Sequence, residues 1–261
     1  MSGMDVQAYL DRIGFKGPAD AGAETLRRLQ EAHYCTVPYE NFDILAKRPI
    51  SLELDDLYRK VVLERRGGYC FELNGLFAWL LRELGFSVTE HFSRYLRDEP
   101  PLPMPRHRVL TVRTEGRRFF VDVGVGGVVP RWPLEMVSGL VQEQNGEQYR
   151  CAHDDVLGHV MQEFRHGAWS NYISFTDETA YPVDFVATNF WCQHAPESIF
   201  NKGPMAALLT RYGRVTMFGP EVRVFSPAGV EGIPLAAEAE VRTAAARWFG
   251  LSVPFVQNLQ L

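Results

Sequence analysis

This 261-residue sequence has no long apolar run, no basic-then-apolar leader and few lysines. A membrane-spanning helix needs roughly 18 or more consecutive apolar residues, and no run reaches that length. The first residues, MSGMDVQAYLDRIGF, include acidic side chains and lack the pattern of a secretory signal. The net charge of -5 argues against binding along a nucleic acid backbone. We therefore expect a cytoplasmic protein with no membrane partner and no nucleic acid partner.

Paired cysteines are missing as well. Cys35, Cys70, Cys151 and Cys192 are widely spaced and form no CxxC motif, which excludes a zinc ribbon and a thioredoxin-like redox site. The histidines of CAHDDVLGHVMQEFRH show no HExxH or other metal-binding spacing, so this stretch is better interpreted as a solvated face. We expect no metal and no disulfide framework. A reactive thiol is the remaining possibility, and the neighbouring residues indicate which cysteine carries it.

Arginine is unevenly distributed in this lysine-poor chain, which has 4 Lys against 23 Arg. Between Arg94 and Arg131 there are eight arginines and only four acidic residues. Such a local excess is suited to holding the phosphates of a nucleotide cofactor. A general preference for Arg in the composition explains the pattern equally well, so both interpretations stay open.

The pattern along the chain predicts an α+β fold in three consecutive parts. Residues 1–87 are mainly helical in pattern and 88–185 read as strands separated by Gly, Pro and Asp turns. Residues 186–261 form a small α/β segment with two short strands, RVTMF and VRVFS, and a closing Ala-rich helix near 235–249.

Cys70 is the best candidate for a nucleophile. It begins the segment CFELNGLFAWLLREL, whose leucines and Phe77 repeat at helical spacing until Gly85. A thiol at a helix N-terminus is close to partial positive charge, which favours the nucleophilic thiolate and predicts a lowered pKa. The preceding Gly67 and Gly68 would let the backbone approach closely and leave room for the sulfur. The alternative, a buried and inert cysteine, is common in helices, but the two glycines favour the functional interpretation.

His107 and Asp122 are predicted to face each other across a hairpin. RHRVLTVR and RRFFVDVG alternate as strands, and Glu115-Gly116 can form a two-residue turn between them. Residues whose numbers sum to 231 are then opposite one another, which makes His107 and Asp122 diagonal neighbours on one face. A three-residue turn would place them on opposite faces. With Cys70 they would complete a nucleophile, base and orienting acid.

The segment GVGGVVP follows Asp122 directly. Glycines at 124, 126 and 127 would let a bulky ligand approach the backbone N–H groups, which could bind phosphates. No strand–loop–helix context for a dinucleotide or P-loop site follows, so a β-bulge is an equally good explanation.

With these residues in place, the sequence resembles the prokaryotic arylamine N-acetyltransferases. The resemblance rests on RRGGYCFELN around Cys70, VPYENFDIL at 37–45, the histidine at 107 and VDVGVGG at 121–127. Weaker similarity runs from the first helix to the last. RGGYCFE is a highly specific motif, whereas GxGG is not.

The resemblance implies a papain-like fold with an N-terminal helical domain, a central β-barrel and a C-terminal α/β lid. It also implies a catalytic triad of Cys70, His107 and Asp122, and ping-pong transfer of an acetyl group from acetyl-CoA to a small aromatic amine or hydrazine. By the same analogy Arg66 would anchor Glu40 and Asn41 beneath the site. The expected coenzyme contacts are Arg106, Gly124, Val125, Gly126 and Gly127, and the expected substrate pocket contains Tyr39, Tyr69, Phe71 and Phe218.

Three positions depart from the family pattern. Tyr39 stands where Phe is frequent, Arg106 where Thr or Ser is common, and Val125 where an aromatic residue is usual. They leave the triad intact and bear on specificity. Three other functions remain compatible with the sequence: an amide synthase that closes macrolactams from a carrier-bound thioester, a cysteine hydrolase or amidase, and a catalytically silent binding protein.

Overall fold

A computed structural model describes residues 3–97, 100 and 102–254 as a mixed helix and sheet protein. Seven α-helices occur in this part of the chain: α1 Val6–Arg12, α2 Ala23–Tyr34, α3 Phe42–Leu45, α4 Leu54–Tyr58, α5 Cys70–Glu83, α6 Phe185–His194 and α7 Glu238–Phe249. The strands are β1 Tyr39–Glu40, β2 Ser87–Tyr95, β3 His107–Thr114, β4 Arg117–Val121, β5 Leu134–Glu135, β6 Gln142–Gln144, β7 Glu147–Asp154, β8 Gly158–Arg165, β9 Ala168–Phe175, β10 Met205–Thr210, β11 Gly213–Phe218, β12 Glu221–Ser226 and β13 Gly229–Pro234.

Helix α5 is the centre of the molecule. It begins at Cys70 and ends at Glu83, as the apolar spacing predicted. Every residue from Cys70 to Leu81 is buried, including Glu72 and Asn74. The helix is therefore covered on all sides, because α1 and α4 pack on it from one direction and β2 and β3 from another. A helix enclosed in this way holds its first residue in a fixed position.

The larger sheet has eight antiparallel strands in the order β5-β4-β3-β2-β9-β8-β7-β6 and is nearly closed. Its hairpin β3–β4 has the predicted two-residue turn. Thr114 pairs with Arg117 and Leu110 with Val121, so the pairing sum of 231 is confirmed. Glu115 and Gly116 both have positive φ, 50° and 72°, which is the geometry that a tight hairpin turn requires.

The smaller sheet joins distant parts of the chain. Its order is β1-β10-β11-β12-β13, so Tyr39 and Glu40 pair with Ala207 and Ala206. The sequence predicted β11, β12 and the closing helix but not β1, β10 or β13. Strand β10 was missed because its residues MAALLT are mostly helix formers. Helix α7 covers this sheet through Val241, Ala245 and its other apolar residues.

The predicted division at 87 and 185 stays a prediction, since the smaller sheet contains strands from both the first and the third part. Within residues 3–97, 100 and 102–254, none of the helices combines the length and the apolar character that crossing a membrane requires.

Candidate active site

The start of α5 is held by a carboxylate. Glu72 accepts a hydrogen bond from the backbone N–H of Tyr69 at 3.0 Å, and its other oxygen is 2.7 Å from Nζ of Lys60. This satisfies a free donor at the helix N-terminus. Burial raises the pKa of Glu72, and the Lys60 ammonium opposes that effect. The contact fixes the backbone one residue before the nucleophile candidate.

The glycines before Cys70 allow a close approach, as the sequence predicted, of the backbone at Gly67 and of the Glu72 side chain at Gly68. The sulfur of Cys70 is not among the nearest atoms at either position. A Cβ at Gly67 would lie 1.9 Å from the carbonyl oxygen of Pro38. The close approach to Cys70 comes from the loop after β4. A Cβ at Gly124 would lie 2.6 Å from Cα of Cys70 and 2.7 Å from Nδ2 of Asn74. Only glycine allows that loop to cross directly over the start of α5.

His107 and Asp122 meet as the hairpin register predicted. Nε2 of His107 is 2.7 Å from Oδ2 of Asp122, and both residues are buried. A carboxylate accepts hydrogen bonds only, so Nε2 carries the proton and Nδ1 keeps its lone pair. His107 and Cys70 line the same cavity. The two residues therefore share one cavity, and Nδ1 is the nitrogen of His107 that can act as a base.

Asn74 is a residue of the site that the sequence analysis missed. Its Nδ2 donates to Oδ1 of Asp122 at 2.8 Å and to the carbonyl of Arg108, and its Oδ1 accepts from the N–H of Val123. The backbone N–H of Gly124 also donates to Oδ1 of Asp122, at 2.8 Å. Asn74 follows Cys70 by four residues and lies on the same helix face. A polar side chain in an otherwise apolar helix stretch was the signal that could have identified it.

The electrostatics around Cys70 act against a free thiolate. Burial raises the pKa of the Cys70 thiol well above its usual value, and the charges of Cys192 and Asp122 act in the same direction. Backbone N–H groups of Arg108 and Phe71 face the sulfur and lower the pKa. The lowered pKa expected from the helix start alone is therefore not found. A reactive thiolate here depends on a protonated His107 beside it.

A cavity of about 520 Å³ opens above Cys70 and His107. The predicted coenzyme contacts Arg106, Gly124, Val125, Gly126 and Gly127 all lie on its wall. The carbonyl oxygen of Arg106 is 3.9 Å from Sγ of Cys70. The opposite wall comes from the smaller sheet, with Met205, Ala206, Met217 and Phe225 among its residues. Apart from Phe218 on β11, sequence reasoning missed this wall, because the pairing of β10 is not local.

The four predicted pocket aromatics divide into two groups. Tyr39 lines the cavity against Gly126, and Phe218 lies at its rim with 62 % of its surface exposed. Tyr69 and Phe71 do not line the cavity. Both are 0 % exposed and pack edge to face in an aromatic cluster behind Cys70. The expectation for these two residues is corrected accordingly, because they support the cavity wall from behind.

Arg66 contacts Glu40 as the resemblance implied, but it does not anchor Asn41. Nε and one terminal nitrogen of Arg66 lie 3.0 and 2.6 Å from Oε1 of Glu40. Asn41 instead donates to the carbonyls of Phe200 and Gly203 and accepts from the N–H of Met205. Asn41 therefore connects the first part of the chain to the wall that begins at β10.

Most of the arginines between 94 and 131 are paired with carboxylates. The pairs are Arg97–Glu163, Arg108–Glu90, Arg117–Glu115, Arg118–Asp177 and Arg131–Glu31. Their acidic partners are mostly far away in sequence, which the local count could not reveal. Of the eight, only Arg106 lines the cavity above Cys70.

Within the part of the chain that the structure describes, no group of three or more His, Cys, Asp or Glu side chains is arranged to hold a metal ion.

Comparison with known proteins agrees with this geometry. A family model described as N-acetyltransferase matches residues 23–258. The chain belongs to the arylamine N-acetyltransferase family. The arylamine N-acetyltransferase of Mycobacterium tuberculosis is 36 % identical over 256 residues, covering 96 % of this chain and 90 % of that protein.

Solved structures of arylamine N-acetyltransferases show the same fold. The enzyme from Salmonella typhimurium superposes with a TM-score of 0.90 at 30 % identity, covering 98 % of this chain and 94 % of that one. The Mycobacterium marinum enzyme in complex with CoA gives a TM-score of 0.88 at 34 % identity, with coverage of 94 % and 92 %.

Proposed function

We propose that this protein moves an acetyl group from acetyl-CoA to a small aromatic amine or hydrazine through a thioester on Cys70. The observation that carries the proposal is that His107, which contacts Asp122, lines the same cavity as Cys70. Membership of the arylamine N-acetyltransferase family supports the reaction class. The relative solved with CoA supports the donor.

The proposed mechanism uses an imidazolium–thiolate pair, in which Nδ1 of His107 has taken the proton of the Cys70 thiol. The thiolate attacks the acetyl carbonyl, and the proton on His107 then passes to the departing coenzyme thiolate. The amine attacks the thioester, His107 accepts a proton from the amine nitrogen, and that proton returns to the Cys70 sulfur. Asp122 stabilises the imidazolium in each step. Backbone N–H groups at the start of α5 stabilise the oxyanion.

The proposed arrangement is papain-like, with the nucleophile on a helix and the base and acid on a barrel. In it, residues 186–261 act as a lid. Support comes from the cavity wall, because Met205, Ala206 and Met217 belong to this last part of the chain. Their apolar side chains suit the ring of an aromatic acceptor, with Tyr39 as a polar group beside it.

Intact-protein mass spectrometry tests the function directly. With acetyl-CoA and no amine, the wild-type protein should gain one acetyl group on Cys70, and an added arylamine or hydrazine should remove it. Cys70→Ser should gain none. Cys192→Ala is the matched control, since Cys192 is buried in the same cluster and burial raises its pKa to about 12. Acetylation at another cysteine, or none at all, would overturn the proposal.

The rate of alkylation by iodoacetamide should separate the contributions of burial and of His107 to the Cys70 pKa. In the wild-type protein we expect Cys70 to react below pH 7, because a protonated His107 stabilises the thiolate. In His107→Gln the cation beside Cys70 is removed, while burial still raises the pKa of the Cys70 thiol. Reactivity should then appear only well above neutral pH. Identical pH profiles in the two proteins would show that His107 does not activate the thiol.

A further inference from the structure

A second cavity of about 510 Å³ adjoins the cavity above Cys70. Its lining is polar and basic and includes Arg97 after β2, His166 in the turn after β8 and Asn171 within β9. Arg165, the last residue of β8, lines both cavities. The two spaces therefore meet at a guanidinium group.

Positive charge is in excess where the two cavities meet. Arg97 and Arg165 share a single carboxylate, that of Glu163. Arg97 binds it through two nitrogens at 2.7 and 2.6 Å, which leaves Arg165 a contact of 3.3 Å. Both oxygens of Glu163 are already used by Arg97, so the charge of Arg165 is only partly compensated.

Arg214 on β11 adds a further cation to the wall of the first cavity. Its nearest carboxylate is Glu147 at 3.6 Å, and that carboxylate also accepts a hydrogen bond from the hydroxyl of Tyr149 at 2.7 Å. The guanidinium lies 4.0 Å from the ring centre of Phe225, which fixes its orientation. Burial lowers the pKa of Arg214, and the positive charges of Arg97 and Arg165 contribute to this.

We infer that Arg165 and Arg214 bind the phosphate groups in the nucleotide part of the donor. The inference rests on the proposed coenzyme A donor. An acyl group at Cys70 places the remainder of a long thioester along the cavity, whose wall also contains two undercompensated arginines from different sheets. Phosphate oxygens accept two parallel N–H bonds from a guanidinium group. The local excess between 94 and 131 does not form this site, because its arginines are mostly paired.

Both side chains are accessible to a ligand. The Arg165 side chain is 39 % exposed and that of Arg214 is 21 % exposed. Neither is so deeply buried that binding would require the fold to open. A bound phosphate would offset the mutual repulsion that the two cations now experience.

The test compares donors with and without the nucleotide. Cys70 acetylation is measured with acetyl-CoA and with S-acetylpantetheine, in wild-type protein and in Arg165→Gln, Arg214→Gln and the double variant. Arg211→Gln is the matched control. It removes one positive charge from the adjoining β10–β11 turn, and its exposed side chain does not line the cavity.

The ratio of kcat/KM for acetyl-CoA to that for S-acetylpantetheine is the readout, because damage common to both donors cancels. We expect this ratio to fall about fivefold for each single substitution and about 25-fold for the double variant, as for partly exposed charge pairs that act additively. Arg211→Gln should leave the ratio unchanged. Adenosine 3′,5′-bisphosphate should inhibit the wild-type protein competitively against acetyl-CoA, less so at high salt, and should inhibit the double variant weakly.

The possible failures are distinguishable. A wild-type protein that acetyl-CoA does not acetylate contradicts the proposed function itself. Acetylation with a clear preference for acetyl-CoA that survives in the double variant overturns the assignment of Arg165 and Arg214 and leaves the function standing. Equal use of both donors by the wild-type protein shows that the nucleotide is not bound. A carrier-bound thioester, as in an amide synthase, then becomes the leading donor.

Discussion

Replacing Asp122 by Asn should slow acetylation of Cys70 by about 10⁴-fold, the scale seen when the same change is made in a serine protease triad. The reason is the hydrogen bonding at Asp122. Its Oδ1 accepts from both Asn74 and the N–H of Gly124. The asparagine oxygen must remain there to satisfy the two donors, so the new NH₂ group faces Nε2 of His107.

That contact reverses the tautomer. Nε2 must accept from the amide, so the ring proton moves to Nδ1 and the base needed for the Cys70 thiol is lost. Single-turnover acetylation by acetyl-CoA, followed by intact mass, measures the effect, and circular dichroism checks the fold.

Asp177→Asn provides the matched control, because Asp177 also pairs with a histidine, His159 at 3.1 Å, and does not line the cavity above Cys70. We expect its acetylation rate to stay near the wild-type rate. A folded Asp122→Asn protein with near-normal acetylation would remove Asp122 from the mechanism.

Replacing Glu90 by Gln should lower the free energy of unfolding by about 3 kcal/mol, because it leaves a buried guanidinium without its carboxylate. The Arg108 side chain is 3 % exposed and bonds to Glu90 through two nitrogens. Its remaining contacts are weaker: a donation to the carbonyl of Phe71 at 3.0 Å and the ring of Phe185, whose centre is 4.6 Å away. The neutral amide cannot offset the buried charge.

Urea unfolding measures the loss of unfolding free energy in Glu90→Gln. Two further variants are needed to interpret that loss. Glu24→Gln makes the same change in the exposed pair with Arg27 and should cost less than about 0.5 kcal/mol. Glu90→Leu combined with Arg108→Met removes both charges and should recover most of the stability. A loss in Glu90→Gln no larger than in Glu24→Gln would show that the charge of Glu90 is dispensable.

The sequence predicted those parts of the site that depend on local rules. Helical periodicity located α5 and its first residue, and a two-residue turn fixed the register that brings His107 to Asp122. Both inferences need only the spacing of neighbouring residues. The prediction for the thiol failed where burial mattered, since the helix start favours a thiolate but the enclosed environment of Cys70 opposes it.

The remaining features depend on contacts between distant residues. Asn74 reaches Asp122 across 48 positions, and Arg97 finds its carboxylate 66 positions away. No window along the chain contains both partners. The strand β10 has a helix-forming composition, and its pairing with β1 and β11 overrides that preference.

Because β1 pairs with β10, the smaller sheet can form only late in the synthesis of the chain. Tyr39 cannot form its strand pair until Ala207 has been synthesised. A ribosome that adds 5 to 20 residues per second takes about 10 to 30 s to synthesise the residues between them. During this time Cys70, His107 and Asp122 have all been synthesised, while the wall from β10 to β12 has not. The nascent chain therefore contains Cys70, His107 and Asp122 before it has the strands that complete the cavity around them.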